Sequence, residues 1–136
     1  MTRKEAREAA FGLIFETEFR SEEAPADIYE SSVDNREIEE NEYIKNAFFT
    51  VCENREEIDA LIGEHAKGWK THRLTNVSRS ILRLGVYEML YDESIPYSVS
   101  INEAVELAKK FDDEKARPFI NGVLNSVKSA LEEKSN

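Results

Sequence analysis

This 136-residue chain contains three groups of cationic side chains whose types and spacing could bind the phosphates of a nucleic acid. The first group is at the N-terminus, where Arg3, Lys4 and Arg7 fall within two turns of a predicted helix. Arg3 and Arg7 are four residues apart and share one helix face, so the cluster could meet successive phosphates of a nucleic acid. Glu5 and Glu8 lie among these cations, and ion pairing within the helix is the alternative.

The second group lies in the segment HAKGWKTHRLTNVSRSILRLGVY, residues 65–87, which contains no carboxylate. The formal net charge of the whole chain is −10, and residues 1–64 alone hold 18 acidic and 7 basic side chains. Because most of the surface would repel a polyanion, a nucleic-acid site must be local. The cations of this segment are Lys67, Lys70, Arg73, Arg79 and Arg83. The alternative is that its second half is a core helix, where carboxylates are costly to bury.

The third group is the string KARPFING, in which Lys115 and Arg117 precede Phe119 and Asn121. Cations beside an aromatic ring and an amide suit a single-stranded nucleic acid, since the cations pair with phosphates and a base stacks on the ring. The alternative is that Phe119 belongs to the core. Gly122 within a helix costs about 1 kcal/mol relative to alanine, which indicates a close approach by another helix or a partner.

The apolar spacing predicts helices for nearly the whole chain, and these helices must position the cations. Capping boxes are predicted at the strings TRKE and SINE, which begin at Thr2 and Ser100. Pro25 is suited to start a short helix over residues 26–31. Residues 41–65 are predicted to form one long helix, or two with Asn54 as a new N-cap.

The segment from Val77 to Tyr91 has apolar residues on almost every side and is predicted to be the central helix. The last helix carries Pro118 in its first turn, where proline is tolerated. The predicted class is therefore all-α, a compact bundle of about seven helices around one core. We predict a single domain over residues 1–136.

Arg83 lies within the apolar string SILRLGVYEML, and we predict that it is partly buried. A buried guanidinium needs an anionic partner, because loss of one member of a buried pair costs roughly 3–5 kcal/mol. Glu103 or Glu88 is the predicted partner. His65 falls on an apolar stripe, so a structural role is favoured over metal ligation.

The sequence contains few of the motifs that enzymes and metalloproteins use. His65, His72 and Cys52 do not have the spacing of a zinc site. No glycine-rich phosphate loop and no nucleophile elbow occur. We therefore predict a non-enzyme without cofactor or metal. A single cysteine, no signal peptide and no apolar window of membrane-spanning length predict a cytoplasmic protein that does not enter a membrane.

Several longer strings carry a specific resemblance. SRSILRLGVYEML, IPYSVSINEAVELAKKF and FINGVLNSV, in this order and at these separations, resemble the C-terminal half of the NusB family of bacterial transcription antitermination factors. The opening RKEAREAAFGLIFE is similar to the arginine-rich first helix of that family. The resemblance extends over the whole chain, and residues 20–42 contribute little to it.

The resemblance implies an all-helical bundle of two helical halves that binds the boxA segment of ribosomal RNA transcripts. It also implies a role beside the ribosomal protein NusE in the antitermination complex of RNA polymerase. Transferred onto this sequence, the RNA-binding positions are Arg3, Lys4, Arg7, Phe15, Arg79, Lys115, Phe119 and Asn121. Glu5 and Glu8 depart from the richer arginine pattern of the family, so weak RNA binding alone and stronger binding with NusE are expected.

Two other functions are compatible with the same sequence. One is a helical protein-interaction module, or a homodimer, without an RNA role. The other is the accessory domain of an RNA methyltransferase, since a similar domain precedes some of those enzymes.

Overall fold

The structure, a computed structural model, describes residues 1–35, 37–69 and 74–135, and these residues form helices but no strand. The elements are α1 Arg3–Glu16, α2 Pro25–Asp34, α3 Glu42–Glu53, α4 Arg55–Ala66, α5 Asn76–Tyr91, α6 Tyr97–Phe111 and α7 Ala116–Ser135. The prediction of an all-α chain with about seven helices is confirmed. None of the helices in the described ranges has the length and apolar character needed to cross a membrane.

Capping side chains set several of the helix starts. Thr2 and Glu5 form the predicted capping box, in which the Thr2 hydroxyl accepts from the Glu5 N–H and the Glu5 carboxylate accepts from the Thr2 N–H. Pro25 occupies the first turn of α2, as predicted, although the helix runs on to Asp34. The second predicted capping box is wrong. Ser100 lies inside α6, which begins directly after Pro96, and its hydroxyl is used in the core.

Asn54 separates two helices, so the central apolar region is not one long helix. Its side-chain amide donates to the Thr50 carbonyl at 2.9 Å, which caps the end of α3. It makes no side-chain cap for α4. The break therefore comes from ending one helix rather than from starting the next.

Helix α5 is the centre of the bundle, as the apolar pattern predicts, and every residue from Ser80 to Met89 is buried. It packs against α1, α3, α4, α6 and α7. Helix α1 lies between α3 and α5, so its N-terminal cations are placed by core contacts further along its length. The end of α6 lies beside the middle of α1, where the rings of Phe11 and Phe111 are 5.0 Å apart.

The segment after α4 docks on α7 through Trp69. A Cβ atom added to Gly122 would lie 2.4 Å from Cζ2 of the indole, so the ring occupies the space that a side chain would need. The predicted close approach at Gly122 is therefore made by a side chain. His65 is half-buried on the neighbouring face of α4, and its Nδ1 lies 2.7 Å from the Ser126 hydroxyl.

Candidate nucleic-acid interface

The first turn of α1 presents two exposed cations. The Arg3 guanidinium lies over the ring of Tyr43 in α3, 4.6 Å from the ring centroid. Lys4 is exposed, and across the part of the chain that the structure describes it has no carboxylate within ion-pair distance. The capping box holds Glu5 against the N-terminal backbone and lowers its pKa, chiefly through the hydrogen bond from the Thr2 N–H. Glu5 is therefore directed to the helix end and not to Arg3.

Arg7 has a different role from its two neighbours, because it is buried. Its Nε lies 2.8 Å and its Nη2 3.3 Å from the two carboxylate oxygens of Glu88 in α5. Burial by itself would lower the pKa of the guanidinium, but the hydrogen bonds to Glu88 and the charge of that carboxylate outweigh burial and raise it. The tyrosine hydroxyl of Tyr43 and the Ser100 hydroxyl also donate to Glu88. Arg7 thus fixes α1 to the core, and its Nε and Nη2 are already engaged by Glu88.

A cleft of about 170 Å³ separates the first two turns of α1 from the last two turns of α6. Its cations are Lys4, Arg7, Lys109 and Lys110, and its carboxylates are Glu8, Glu103 and Glu106. The Lys110 ammonium lies 2.9 Å from both oxygens of Glu8, and Lys109 lies 3.1 Å from Glu106. The two lysines of α6 were not among the predicted site residues. Their string AKKF was visible, but only the packing of α6 on α1 places it beside Lys4.

Arg83 is buried, as predicted, but the predicted partners are wrong. Its guanidinium pairs with Asp59 of α4 at 2.7 Å and with Glu18 at 2.5 Å. The residue that pairs with Glu88 and approaches Glu103, at 3.8 Å, is Arg7. The reason is geometric: positions 83 and 88 are five residues apart, about 140° around a helix, and therefore face different neighbours.

A second group of cations lies at the other end of α1. Arg79, in the first turn of α5, has Nη1 3.9 Å from Glu18, just beyond α1. The Ser78 hydroxyl donates to Asp112 at 3.1 Å, which brings the connection between α6 and α7, and with it exposed Lys115, next to this turn. Helix α1 has 14 residues, so the two groups are roughly 20 Å apart along it. Lys70 and Arg73 lie outside the described residues.

The aromatic and amide residues predicted to contact RNA differ in burial: Phe119 is buried, Phe15 is half-buried and Asn121 is exposed. Phe119 is 1% exposed and packs edge-on against Trp69, so its ring is covered in this structure. Asn121 is exposed, and it accepts hydrogen bonds from Asn125 one turn along α7. Phe15 is half-buried, with its ring between those of Phe11 and Phe19.

The fold and this site define an all-helical protein of net charge −10 in which two groups of exposed cations lie near the two ends of one helix. A family model described as the NusB family matches residues 4–129. The transcription antitermination protein NusB of Bacillus cereus (strain B4264) is 44% identical over 131 residues, which are 96% of this chain and 100% of that protein. The NusB of Bacillus thuringiensis (strain Al Hakam) is also 44% identical over the same share of each chain. This chain belongs to the NusB family.

Solved structures agree with this assignment. A structure of T. maritima NusB is 34% identical, with a TM-score of 0.80, and the match covers 93% of this chain and 90% of that one. A crystal structure of the antitermination factors NusB and NusE in complex with dsRNA is 34% identical, with a TM-score of 0.80 over 94% of this chain and 96% of that one.

Proposed function

We propose that this protein is a transcription antitermination factor that binds boxA RNA of ribosomal RNA transcripts together with NusE. The observation that carries the proposal is the match, over 94% of this chain, to a NusB solved with NusE and RNA. The exposed first-turn cations Arg3 and Lys4 support it, because no carboxylate of residues 1–35, 37–69 or 74–135 uses their donors. The protein acts without catalysis, by bringing RNA and NusE to the polymerase in the cytoplasm.

The RNA path in this proposal follows α1 from its first turn to Arg79 and Lys115. Phosphates meet Arg3 and Lys4 at one end and the second pair of cations at the other. Arg7 and Phe119 support this surface from the core, whereas Phe15 and Asn121 border it. The few exposed cations on a chain of net charge −10 give weak electrostatic attraction, so RNA binding requires the additional contacts that NusE supplies.

The test is the affinity of a fluorescently labelled boxA RNA for the protein, measured by anisotropy with and without NusE over a series of salt concentrations. The variant Arg3→Ala/Lys4→Ala should weaken binding and flatten the salt dependence by about 0.7 for each lost phosphate contact. The matched control is Lys45→Ala/Lys134→Ala, which removes the same charge from exposed positions on α3 and α7. Equal losses in both variants, or equal RNA affinity with and without NusE, would contradict the proposal.

Self-association is the second candidate function, favoured by one apolar feature of the surface. Phe19 is 66% exposed, and with Phe15 and Ile38 it borders a groove of about 430 Å³ between α1 and the segment after α2. Because Phe15 is shared with the RNA path, a dimer formed here would cover that path. Sedimentation velocity with and without RNA separates the two functions: RNA should dissociate a dimer that uses this face.

A further inference from the structure

We infer that Tyr43 is a positioning residue for RNA binding, which holds the Arg3 guanidinium in place for a phosphate. The inference rests on the proposed function and goes beyond it by assigning a role to a residue of α3. The central observation is that the Arg3 guanidinium carbon lies 4.6 Å from the centroid of the Tyr43 ring. A cation at this distance over the face of an aromatic ring is attracted by the negative charge of that face.

The hydrogen-bond donors of Arg3 remain available in this position. In residues 1–35, 37–69 and 74–135 the Arg3 side chain has neither an ion pair nor a hydrogen bond. A cation–π contact uses no N–H donor, and the N–H groups of a guanidinium can bind a phosphate in a bidentate manner. Arg7 lies 5.9 Å from the same ring, but it is buried and its Nε and Nη2 already donate to Glu88. Arg3 is therefore the cation that the ring presents to a ligand.

Tyr43 is itself held firmly. It is 8% exposed, and its hydroxyl donates to the buried carboxylate of Glu88. Its ring also meets that of Tyr87 edge-on, with centroids 6.5 Å apart and an angle of 73° between the planes. Because the hydroxyl is anchored and the ring is packed, the orientation of the ring face is determined by α3 and α5. The position of Arg3 is thus set by the core of the bundle.

A guanidinium that is already ordered loses less side-chain freedom when RNA binds. Removing the ring should therefore weaken RNA binding by about threefold to tenfold, although Tyr43 is itself buried. Tyr43→Phe keeps the ring and removes only the hydrogen bond to Glu88, so it should lower the unfolding temperature and lose less RNA affinity than a variant without the ring. Tyr43→Leu removes the ring and should lower RNA affinity.

Pentafluorophenylalanine at position 43 protects the experiment against loss of folding. It keeps the shape of the ring but reverses the charge distribution on its face, so it should repel Arg3 and weaken RNA binding as leucine does. Tyr43→Phe is its matched control, since both lack the hydroxyl. Anisotropy with boxA RNA and NusE gives the affinities, and circular dichroism verifies that each variant is folded.

A double-mutant cycle with Arg3→Ala identifies the residue through which Tyr43 acts. In the Arg3→Ala background, phenylalanine and its pentafluoro analogue should bind RNA equally. Equal affinity of these two variants in the wild-type background would overturn the inference, as would an equal difference between them in both backgrounds. If the wild-type protein binds RNA with NusE but Arg3→Ala binds as well as wild type, the inference fails and the proposed function stands. If wild-type protein with NusE binds no RNA, the proposed function itself fails.

Discussion

Arg7 of α1 and Glu88 of α5 form a buried ion pair, with Nε 2.8 Å from Oε2 and the two side chains 8% and 2% exposed. The Glu88 carboxylate also accepts from Tyr43 and Ser100, so side chains of four helices meet at one charge. The sequence resemblance assigns Arg7 to RNA binding. In the structure Arg7 instead fixes α1, the helix that carries the exposed cations Arg3 and Lys4. The pair connects stability to function, because α1 can present Arg3 and Lys4 only if it is held in place.

Replacing Arg7 should destabilise the fold strongly. Arg7→Met leaves the Glu88 carboxylate buried without its cation, which is expected to cost about 3–5 kcal/mol of unfolding free energy. Urea unfolding followed by circular dichroism measures this change. Lys4→Met is the matched control, since it removes an exposed cation three residues away and should stay within about 0.5 kcal/mol of wild type.

The double variant Arg7→Met/Glu88→Gln separates charge burial from lost packing. Tyr43 and Ser100 donate to different oxygens of Glu88. Glutamine keeps one of these acceptors, places an amide NH2 at the other and carries no charge, so the double variant should be more stable than Arg7→Met alone. A double variant no more stable than Arg7→Met would show that the buried charge is not the cause.

The partners of Arg83 give a second prediction. Asp59→Asn weakens the pairing that holds α4 to α5 and should lower the unfolding free energy by about 1–2 kcal/mol. Glu103→Gln, at the partner position predicted from the sequence, lies 3.8 Å from Arg7 and should have a smaller effect. Thermal unfolding of both variants in the same buffer makes the comparison. A larger loss for Glu103→Gln would contradict the observed pairing.

Two glycines in helices should respond oppositely to alanine. At Gly122 the new methyl group would lie 2.4 Å from the Trp69 ring, so Gly122→Ala should displace the indole and cost about 1–2 kcal/mol. At Gly63 an added Cβ would have no atom of the described residues within 4 Å apart from its own helix backbone and chain neighbours, so Gly63→Ala should stabilise α4 by about 0.5–1 kcal/mol. Because Trp69 is the single tryptophan, a red shift of its fluorescence in Gly122→Ala, absent in Gly63→Ala, would report the displacement. Stabilisation by both substitutions would contradict the contact.

The pair between Glu8 and Lys110 predicts a variant that binds RNA more tightly. In Glu8→Gln the Lys110 ammonium loses its anionic partner and becomes available to a phosphate at the edge of the cleft. Affinity for boxA RNA in the presence of NusE should rise about threefold, with a steeper salt dependence. Glu30→Gln removes one charge from an exposed position on α2 and serves as the control. An equal rise in the control would assign the effect to net charge.

Local rules were sufficient for most of the helices. The capping box at Thr2, the proline at the start of α2 and the apolar length of α5 each depend on residues close in sequence, and each was predicted correctly. The box at Ser100 failed because the helix starts earlier, after Pro96, and the serine hydroxyl finds a buried partner in Glu88. Here a contact between helices replaced the local cap.

The sequence by itself determined the helical class, the central helix, the resemblance to the NusB family and the local nature of any cationic site. These properties follow from periodicity, composition and motif order, which a linear chain displays directly. Only the tertiary structure decided that Arg7 is buried while Arg3 and Lys4 are exposed, that Arg83 pairs with Asp59 and Glu18, and that α6 brings Lys110 to α1. The reason is that the burial and the partner of a side chain depend on how its helix is rotated about its axis and on which helix lies beside it. Packing between residues far apart in the chain determines the rotation and the neighbour.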